Sequence, residues 1–411
     1  MAASPRTVEP KDIERARAAV ADIARHTPVL SSLTLTEHTG REVVVKAENL
    51  QRTGSFKIRG ALNKLAALGD RCAAGITAGS AGNHAWACAQ AAQARGVRCE
   101  VFMPVDASIS KAEGCSALGA IVHRGGTSVD ECVALARARA DEAGMAFIHP
   151  FDDPDIIAGQ GTLGLELVED VPDLAKVIVP VGGGGLASGV AMAVKSARPG
   201  VEVIGVQVET VAAFPQSLRA GEPLAVESSL TIADGIAVKR PGDLTLPLVE
   251  RWLDDVVVVA EDDVAEAIVL CMERAKLVVE GAGAVGVAAL LGGQVAAAET
   301  GTTCVVLSGG NIDAGLLASV ARRHETEAGR RLVLFTRVPD RPGFLARLLS
   351  VVGGTGANIV HVEHLREGFD LHVRETAIQL VLETRSRDHA REVCERVAEA
   401  GYETRVVGSD P

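Results

Sequence analysis

The segment KVIVPVGGGGL at residues 176–186 decides the fold of this sequence. Its first six residues are mostly apolar and β-branched, which predicts a strand over 176–181 that is buried on both faces. Small and apolar residues follow the glycines, and they predict a helix over 187–196. A buried strand that leads through a glycine loop into a helix is typical of an α/β fold with a parallel sheet.

The same alternation of apolar strand and alanine-rich helix runs through most of the chain. Further short strands are predicted at 43–45, 76–77, 101–103, 121–122, 203–206, 256–259 and 305–307. Helices are predicted between them, for example over 57–68 and 82–95. Apolar strands joined by helices indicate parallel sheets covered on both faces, so the predicted class is α/β.

The pattern changes near residue 325. The stretch 322–331 is nearly all charged or small and predicts a linker, so we expect two domains, 1–325 and 326–411. The second domain is too short to be another enzyme and long enough to be a sensor. Its apolar pattern predicts the order β-α-β-β-α-β, which is that of ferredoxin-like folds.

The composition argues against several classes of function. The chain has 41 basic and 53 acidic side chains, and its net charge of −12 disfavours nucleic acid and anionic membranes as partners. Eight scattered cysteines without a Cys-x-x-Cys pair argue against a disulfide framework or a zinc site. Because the sequence also lacks an apolar run of about 18 residues and a signal-peptide core, we expect a cytoplasmic protein.

The glycines of the first segment predict an anion site at the carboxyl end of a strand, where open α/β sheets bind ligands. Their N–H groups and the helix dipole can hold a phosphate, and a simple turn would need only one or two glycines. Gly182, Gly184 and Ala187 also fit the pattern G-x-G-x-x-A. With Glu209 at the end of the next strand, a dinucleotide site stays open on this loop alone.

Three other segments carry polar groups that fit a small aromatic cofactor. Ser308 follows a predicted strand and can pair with a ring nitrogen, although a capping serine would look the same. Lys57 begins a predicted helix; most lone lysines are ordinary surface residues, but its neighbour Phe56 could pack against a flat ring. The loop 80–84 opens another helix, where free amides could hold a carboxylate and Asn83 could bond a phenolic oxygen.

A lysine, a phosphate cradle, a ring-nitrogen partner and a carboxylate loop together are what pyridoxal phosphate requires. The motifs SFKIRGA at 55–61, SAGNH at 80–84, GGGGL at 182–186 and SGGN at 308–311 resemble four signatures of threonine dehydratases, in the same order. These are pyridoxal-phosphate enzymes of fold type II. The resemblance covers about residues 5–325, and the dinucleotide alternative explains only one of the four motifs.

The resemblance implies a two-lobed body, with a smaller lobe at roughly 50–150, and a role for each motif. Lys57 would be the catalytic residue and form a Schiff base with pyridoxal 5'-phosphate, and Phe56 would stack on the ring. Asn83 would contact the ring oxygen and Ser308 the ring nitrogen. The phosphate would lie on Gly182, Gly183, Gly184, Gly185 and Leu186. The substrate would lie on Ser80, Ala81, Gly82 and His84.

The activity that the resemblance implies is the dehydration and deamination of L-threonine to 2-oxobutanoate and ammonia, with slower action on L-serine. Lys57, once released by the substrate amine and kept neutral by the pocket, would take the Cα proton. Ala81 stands where serine racemases carry a second serine, which favours a dehydratase. A serine dehydratase or racemase, and a catalytically silent amino-acid sensor, are the alternatives.

We expect no metal site. Some relatives bind a divalent metal at acidic positions that fall here on Gln207 and Ala213, and His361 and His364 would face opposite sides of a strand. Glu280 could lie beside the cofactor ring or merely begin a helix.

The tail resembles an ACT domain, a ferredoxin-like module that binds amino acids at subunit interfaces. RPG at 341–343 and GANI at 356–359 match its ligand loops. The resemblance implies that Gly343, Asn358 and Ile359 bind a branched-chain amino acid that lowers activity, in a homodimer or homotetramer. The alternative is a dimerisation module without a ligand.

Overall fold

A computed structural model of the protein describes residues 6–227, 229–366 and 371–406. The chain forms two compact units, one ending at Ile312 and the other beginning at Asp313. A helix over Ala314–Glu327 occupies much of the predicted linker at 322–331, so that prediction was wrong. Alanine, arginine and glutamate favour helix, and a charged stretch built from them need not be a loop. The boundary between the two units therefore lies before this helix, whereas the sequence pattern predicts a boundary near the end of the helix.

Fourteen strands lie within the described residues. In chain order they are β1 Val29–Ser31, β2 Val43–Ala47, β3 Ile76–Gly79, β4 Cys99–Met103, β5 Ile121–Arg124, β6 Ala146–Phe147, β7 Leu174–Pro180, β8 Glu202–Val208, β9 Asp255–Val259, β10 Thr302–Leu307, β11 Arg331–Pro339, β12 Asn358–Leu365, β13 Glu375–Glu383 and β14 Thr404–Val406.

Fifteen α-helices lie within the same residues. They are α1 Pro10–Val20, α2 Leu33–Thr39, α3 Lys57–Leu68, α4 Asn83–Arg95, α5 Ile109–Ala117, α6 Val129–Ala143, α7 Pro154–Asp170, α8 Gly185–Ala197, α9 Phe214–Ala220, α10 Thr245–Trp252, α11 Glu261–Leu270, α12 Gly281–Leu291, α13 Ala314–Glu327, α14 Phe344–Gly354 and α15 Arg387–Glu399. None of these described helices is long and apolar enough to cross a bilayer.

The first unit contains two sheets, and the predicted α/β class is confirmed. The larger sheet has the order β1-β2-β10-β7-β8-β9 and is parallel except for β1. The smaller sheet has the order β5-β4-β3-β6 and is parallel throughout. Strands such as β2 and β10 are buried along their whole length. This burial explains why they are apolar runs and do not alternate with polar residues.

The carboxyl ends of strands from both sheets meet at one place. β7 leads into the glycine loop 182–185, β10 into Ser308, and β3 into the loop 80–84. Backbone hydrogen bonds join two of the predicted motifs there: Phe56 N–H donates to Ser308 O at 3.1 Å, and Gly310 N–H donates to Gly54 O at 2.9 Å. The fold thus places four separated motifs around one cleft.

The second unit has the predicted order β11-α14-β12-β13-α15-β14. Its sheet is antiparallel, with β13 and β11 in the centre and β12 and β14 at the edges. Leu334, Leu348, Leu380 and Val393 are fully buried between the sheet and the two helices. This unit therefore has a hydrophobic core of its own.

A buried ionic cluster surrounds Arg59, two residues after Lys57 in the chain. Arg59, on the same helix, is 1% exposed and binds Glu48 through Nε and Nη2 at 2.9 and 2.8 Å. Its Nη1 binds Glu166 on α7 at 2.7 Å, and Lys46 of β2 binds the other oxygen of Glu166, also at 2.7 Å. Burial alone would raise the pKa of Glu48, but the Arg59 guanidinium outweighs it and lowers the pKa. The cluster fixes α3 to α7 and to the end of β2.

We predict that Arg59→Met lowers the free energy of unfolding by about 3–5 kcal/mol, because it leaves the buried Glu48 carboxylate without its paired cation, while Glu166 keeps only Lys46. Urea unfolding followed by tryptophan fluorescence measures this change, since both tryptophans, Trp86 and Trp252, lie in the first unit. Arg41→Met, at an exposed position, is the matched control. A loss as small as that of the control would contradict the structural role of the cluster.

Candidate active site

A cavity of about 720 Å³ lies in the cleft between the two sheets. Every residue that the sequence assigned to cofactor or substrate lines it. They are Phe56, Lys57, Ser80, Ala81, Gly82, Asn83, His84, Gly182, Gly183, Gly184, Gly185, Leu186 and Ser308. The structure therefore brings together the four predicted motifs, while their individual roles stay predictions.

Lys57 is the first residue of α3 and is half-buried in the cavity wall. Its Nζ donates to the carbonyl oxygen of Pro150 at 2.8 Å and lies 5.3 Å from the centre of the Phe56 ring. Burial lowers the pKa of the amine to about 8, although the nearby Glu280 opposes the shift. An amine with this pKa is partly uncharged near neutral pH, which a proton-accepting lysine requires.

The glycine loop is shaped by the side chains packed behind it. A Cβ on Gly183 would lie 2.4 Å from the Phe151 ring, and one on Gly185 would lie 2.8 Å from the Phe151 carbonyl oxygen. Gly184 has φ +93°, and a Cβ there would meet Phe214 at 2.8 Å. The number of glycines is thus explained by packing and by itself does not argue for phosphate.

The stronger argument for an anion site is the start of α8. No side chain caps this 13-residue helix, so the N–H groups of its first turn lack a capping acceptor, and the first two residues of that turn, Gly185 and Leu186, line the cavity. Free N–H groups at the positive end of a helix dipole are a suitable site for a phosphate.

Asn83 is held from both sides. Its Nδ2 donates to Glu280 Oε1 at 2.7 Å, and its Oδ1 accepts from Asn311 Nδ2, also at 2.7 Å. A carboxamide nitrogen has two hydrogens, so one remains for a ligand in the cavity. Ser308 is buried, and its side-chain hydroxyl makes only a 3.5 Å contact, with the carbonyl oxygen of Ala282. Its hydroxyl is therefore free to bind a stronger partner.

The loop 80–84 is partly occupied by its own contacts. The Ser80 hydroxyl accepts the Gly82 N–H at 3.1 Å, so this amide, expected to face a carboxylate, is already bonded. The His84 ring bonds Ile148 O through Nε2 at 3.0 Å, and burial lowers the pKa of His84 to about 3. The sequence showed the free amides of a helix start but not the turn that the serine makes with them.

Glu280 is a functional candidate that the sequence left undecided. It lies at the N-cap of α12, is 5% exposed and lines the cavity. Besides the Asn83 amide, it receives a backbone hydrogen bond from Asn311. Burial, with a smaller effect from Asp234, raises the pKa of Glu280 to about 7. Both earlier interpretations thus hold, since the residue begins a helix and also lies in the site.

Residues 149–153 are a part of the site that the sequence analysis missed. Besides the Pro150 carbonyl, they contribute the Phe151 ring behind the glycine loop and the Asp152 carboxylate. The hydrogen bonds of residues 149–152 each have a backbone atom on one side, so no catalytic motif marks them. The only sequence signal for this part of the site is the short distance between β6 and α7, because a short loop must connect the smaller sheet to that helix.

The three residues predicted to be regulatory lie in the second unit. Gly343 precedes α14 with φ +88°, a backbone conformation that favours glycine. Asn358 begins β12 and donates to Glu383 Oε2 at 2.8 Å, and Ile359 packs against the core of the unit. Their binding role stays a prediction.

A family model for pyridoxal-phosphate dependent enzymes matches residues 20–309. This chain belongs to that family. The family resemblance found in the sequence is thereby confirmed. The matched residues include the first three motifs and Ser308 of the fourth, and pyridoxal 5'-phosphate is the cofactor of the family.

Two relatives align over most of this chain. An L-threonine ammonia-lyase of Thermotoga maritima is 45% identical over 97% of this chain and 99% of its own length. An L-threonine ammonia-lyase of Geobacter sulfurreducens is 43% identical over 92% and 94%.

Two solved structures match the body of the chain. That of a threonine deaminase from T.th. has a TM-score of 0.70 and 41% identity, and covers 74% of this chain and 99% of that one. That of maize serine racemase has a TM-score of 0.73 and 35% identity, and covers 78% and 99%.

The residues of the cavity fit the family's cofactor. The cavity has an amine of lowered pKa, an uncapped helix start, a loosely bonded serine hydroxyl and a spare carboxamide N–H. These are partners for an aldehyde carbon, a phosphate, a ring nitrogen and a phenolic oxygen, respectively. Each partner follows a different strand or opens a different helix, so the fold alone sets their arrangement.

We predict that Glu280→Gln stabilises the cofactor-free protein at pH 8 by about 1–3 kcal/mol and has little effect at about pH 5. The pKa of Glu280 is raised in the folded state, so the folded chain binds this proton more tightly than the unfolded chain. The resulting stability is present below the unfolded pKa and is lost as the pH rises through about 7. Glutamine keeps the acceptor oxygen and carries no charge to bury.

Urea unfolding at the two pH values measures the difference, with Glu266→Gln, at an exposed position, as the control. If the two substitutions changed the free energy of unfolding equally at pH 8, the pKa of Glu280 would not be raised by burial.

Proposed function

We propose that this chain is an L-threonine ammonia-lyase, which converts L-threonine to 2-oxobutanoate and ammonia with pyridoxal 5'-phosphate. The observation that carries the proposal is the amine of Lys57, which lies in one cavity with all the other residues expected around the cofactor. The two relatives that align over 97% and 92% of this chain support threonine as the substrate. The acidic charge and the lack of a Cys-x-x-Cys pair among the scattered cysteines support a cytoplasmic enzyme.

The cofactor would be held by residues of both sheets. Lys57 would hold the aldehyde carbon, and Phe56 would pack against the ring. Asn83 would donate to the phenolic oxygen and Ser308 would pair with the ring nitrogen. The N–H groups of Gly182, Gly183, Gly184, Gly185 and Leu186 would hold the phosphate. When bound, pyridoxal phosphate supplies an electron-accepting ring that makes the Cα–H bond of an amino acid acidic.

Lys57 would then move the proton at Cα. Its pKa of about 8 leaves a useful fraction of the amine uncharged at neutral pH. The Pro150 carbonyl accepts from Nζ and fixes the direction of the amine, and, being neutral, it favours the ammonium form less than a carboxylate would. The loop 80–84, with Ser80, Ala81, Gly82 and His84, would hold the substrate carboxylate through amides that its own turns leave free.

Ala81 supports elimination over racemisation. It lines the cavity, and its methyl group cannot exchange a proton with Cα. Serine racemisation is nevertheless the second candidate activity, since the maize serine racemase structure matches the body of this chain. Serine, which has the same leaving hydroxyl, would be a slower substrate for dehydration.

We predict that Lys57→Ala lowers kcat for ketoacid formation from L-threonine by at least about 10²-fold, because the proton acceptor is lost. The measurement is release of 2-oxobutanoate, and of pyruvate from L-serine, by the loaded enzyme. Lys11→Ala, at an exposed position, is the control and should match the wild type. Wild-type turnover in the Lys57→Ala variant would refute the mechanism, and D-serine as the main product would favour the racemase.

We further propose that the second unit is an ACT-like regulatory module of a homodimer or homotetramer. Its β-α-β-β-α-β order and antiparallel sheet support this role. The alignment with the Thermotoga maritima relative spans 399 residues, more than the first unit contains, so that relative shares the tail. Gly343, Asn358 and Ile359 would contact a branched-chain amino acid.

We predict that isoleucine or valine lowers threonine turnover by the wild type and raises its melting temperature, because a ligand of the folded state stabilises it. Asn358→Ala should weaken both effects, with Arg391→Ala, at an exposed position, as the control. Unchanged kinetics and unchanged melting with both amino acids would leave the unit as a dimerisation module.

A further inference from the structure

The segment 149–153, His-Pro-Phe-Asp-Asp, joins the two parts of the first unit. It follows β6 of the smaller sheet and precedes α7, whose Leu163 and Leu167 pack in one core cluster with residues of β7 and β8 in the larger sheet. At its end, Asp153 caps α7 by accepting from Asp155 N and Ile156 N at 2.9 and 3.2 Å. The segment therefore connects the smaller sheet to α7, and its first three residues line the cavity.

Its middle residues contact opposite sides of the site. The Pro150 carbonyl accepts from Lys57, and the Phe151 ring packs against Gly183. The Asp152 carboxylate accepts three backbone N–H groups at the start of α10, at 3.0–3.1 Å. There, the hydroxyl of Thr245 donates to Gly183 O at 2.6 Å. Five consecutive residues thus contact both Lys57 and the glycine loop.

His149 determines the shape of this segment. Its Nδ1 accepts the backbone N–H of Asp152 at 2.8 Å and that of Phe151 at 3.3 Å. Pro150, which lies between His149 and Phe151 in the chain, has no backbone N–H to donate. The turn closed by the imidazole therefore sets the direction in which the Pro150 carbonyl points. Without an acceptor at Nδ1, two half-buried N–H groups would lose their partner and the turn would open.

We propose that His149 is a positioning residue for Lys57, a role that rests on the proposed function and deepens it. The neutral imidazole, with its hydrogen on Nε2, closes the turn that holds the Pro150 carbonyl against the Lys57 amine. This geometry orients the amine through an uncharged acceptor. A carboxylate in the same place would favour the ammonium form and remove the base.

The surroundings keep the imidazole neutral. Phe151 packs edge-on against it, with ring centres 4.8 Å apart, and Phe147 does so at 6.1 Å. The charged groups that face it, Arg137 and Lys57, are both cationic and disfavour a third positive charge. Burial and these two cations lower the pKa of His149 to about 4. A proton on Nδ1 would also face two N–H donors.

The first test is independent of catalysis. Nitrogen NMR of the cofactor-free chain labelled in histidine reports the tautomer, and the His149 signal is assigned by its absence in His149→Asn. We expect a neutral ring with hydrogen on Nε2 and no titration between about pH 5.5 and 8.5. A hydrogen on Nδ1, or a titration within that range, would overturn the proposal whether or not the chain acts on threonine.

The second test uses the loaded enzyme. In His149→Asn the side-chain oxygen can still accept from the N–H two residues ahead, whereas His149→Leu has no acceptor. We expect the leucine variant to lose about 10- to 100-fold in kcat and to shift the acidic limb of the pH profile of kcat. The asparagine variant should keep kcat within a few fold and retain the wild-type profile. His38→Leu, at an exposed position, is the control.

A leucine variant with wild-type kcat and pH profile would overturn the proposal, as would an asparagine variant as impaired as the leucine variant at equal cofactor content. If the leucine variant does not fold, an active asparagine variant and the Nε2–H tautomer are both required for support. A wild type without threonine turnover would refute the proposed function, and the tautomer would still be decided by NMR.

Discussion

The chemistry of this site depends on a single constraint, which is that one lysine amine must be held in place without being held as a cation. Lys57 meets it by donating to a carbonyl at 2.8 Å in a half-buried position, where its pKa falls to about 8. The buried carboxyl of Glu280, whose charge acts on this amine, has a pKa raised to about 7 and donor partners of its own. Both groups can therefore lose or gain a proton near neutral pH.

The rest of the first unit holds Lys57 in a fixed position relative to both sheets. Arg59, two residues after the lysine, ties α3 to α7 through Glu166 and to the larger sheet through Glu48. The segment 149–153 makes the second connection, from the smaller sheet to α7 and α10. A lysine anchored from both directions cannot move independently of the glycine loop, which suits a reaction that needs fixed distances.

Much of this could be predicted from the sequence, because strand burial and glycine loops leave strong local patterns. The α/β class, the start of α3 at Lys57 and the position of two glycine loops at strand ends all follow from them. What failed was information carried by distant contacts. The half-buried Pro150 carbonyl and the turn closed by His149 have no residue pattern, and Glu280 differs from an ordinary helix cap only in its neighbours. The charged end of α13, residues 322–327, was predicted to be part of a linker, because composition alone cannot distinguish an exposed helix from a loop.

The central claim is that the amine of Lys57, among the lysines of this cavity, is the one that carries the cofactor. Lys111 and Lys239 line the same cavity and offer a direct comparison. Borohydride reduction of the loaded enzyme, followed by digestion and mass spectrometry, identifies the lysine that is joined to pyridoxal phosphate. We expect the added mass on the peptide that contains Lys57. Mass added only to the peptide of Lys111 or Lys239, or to none, would contradict it.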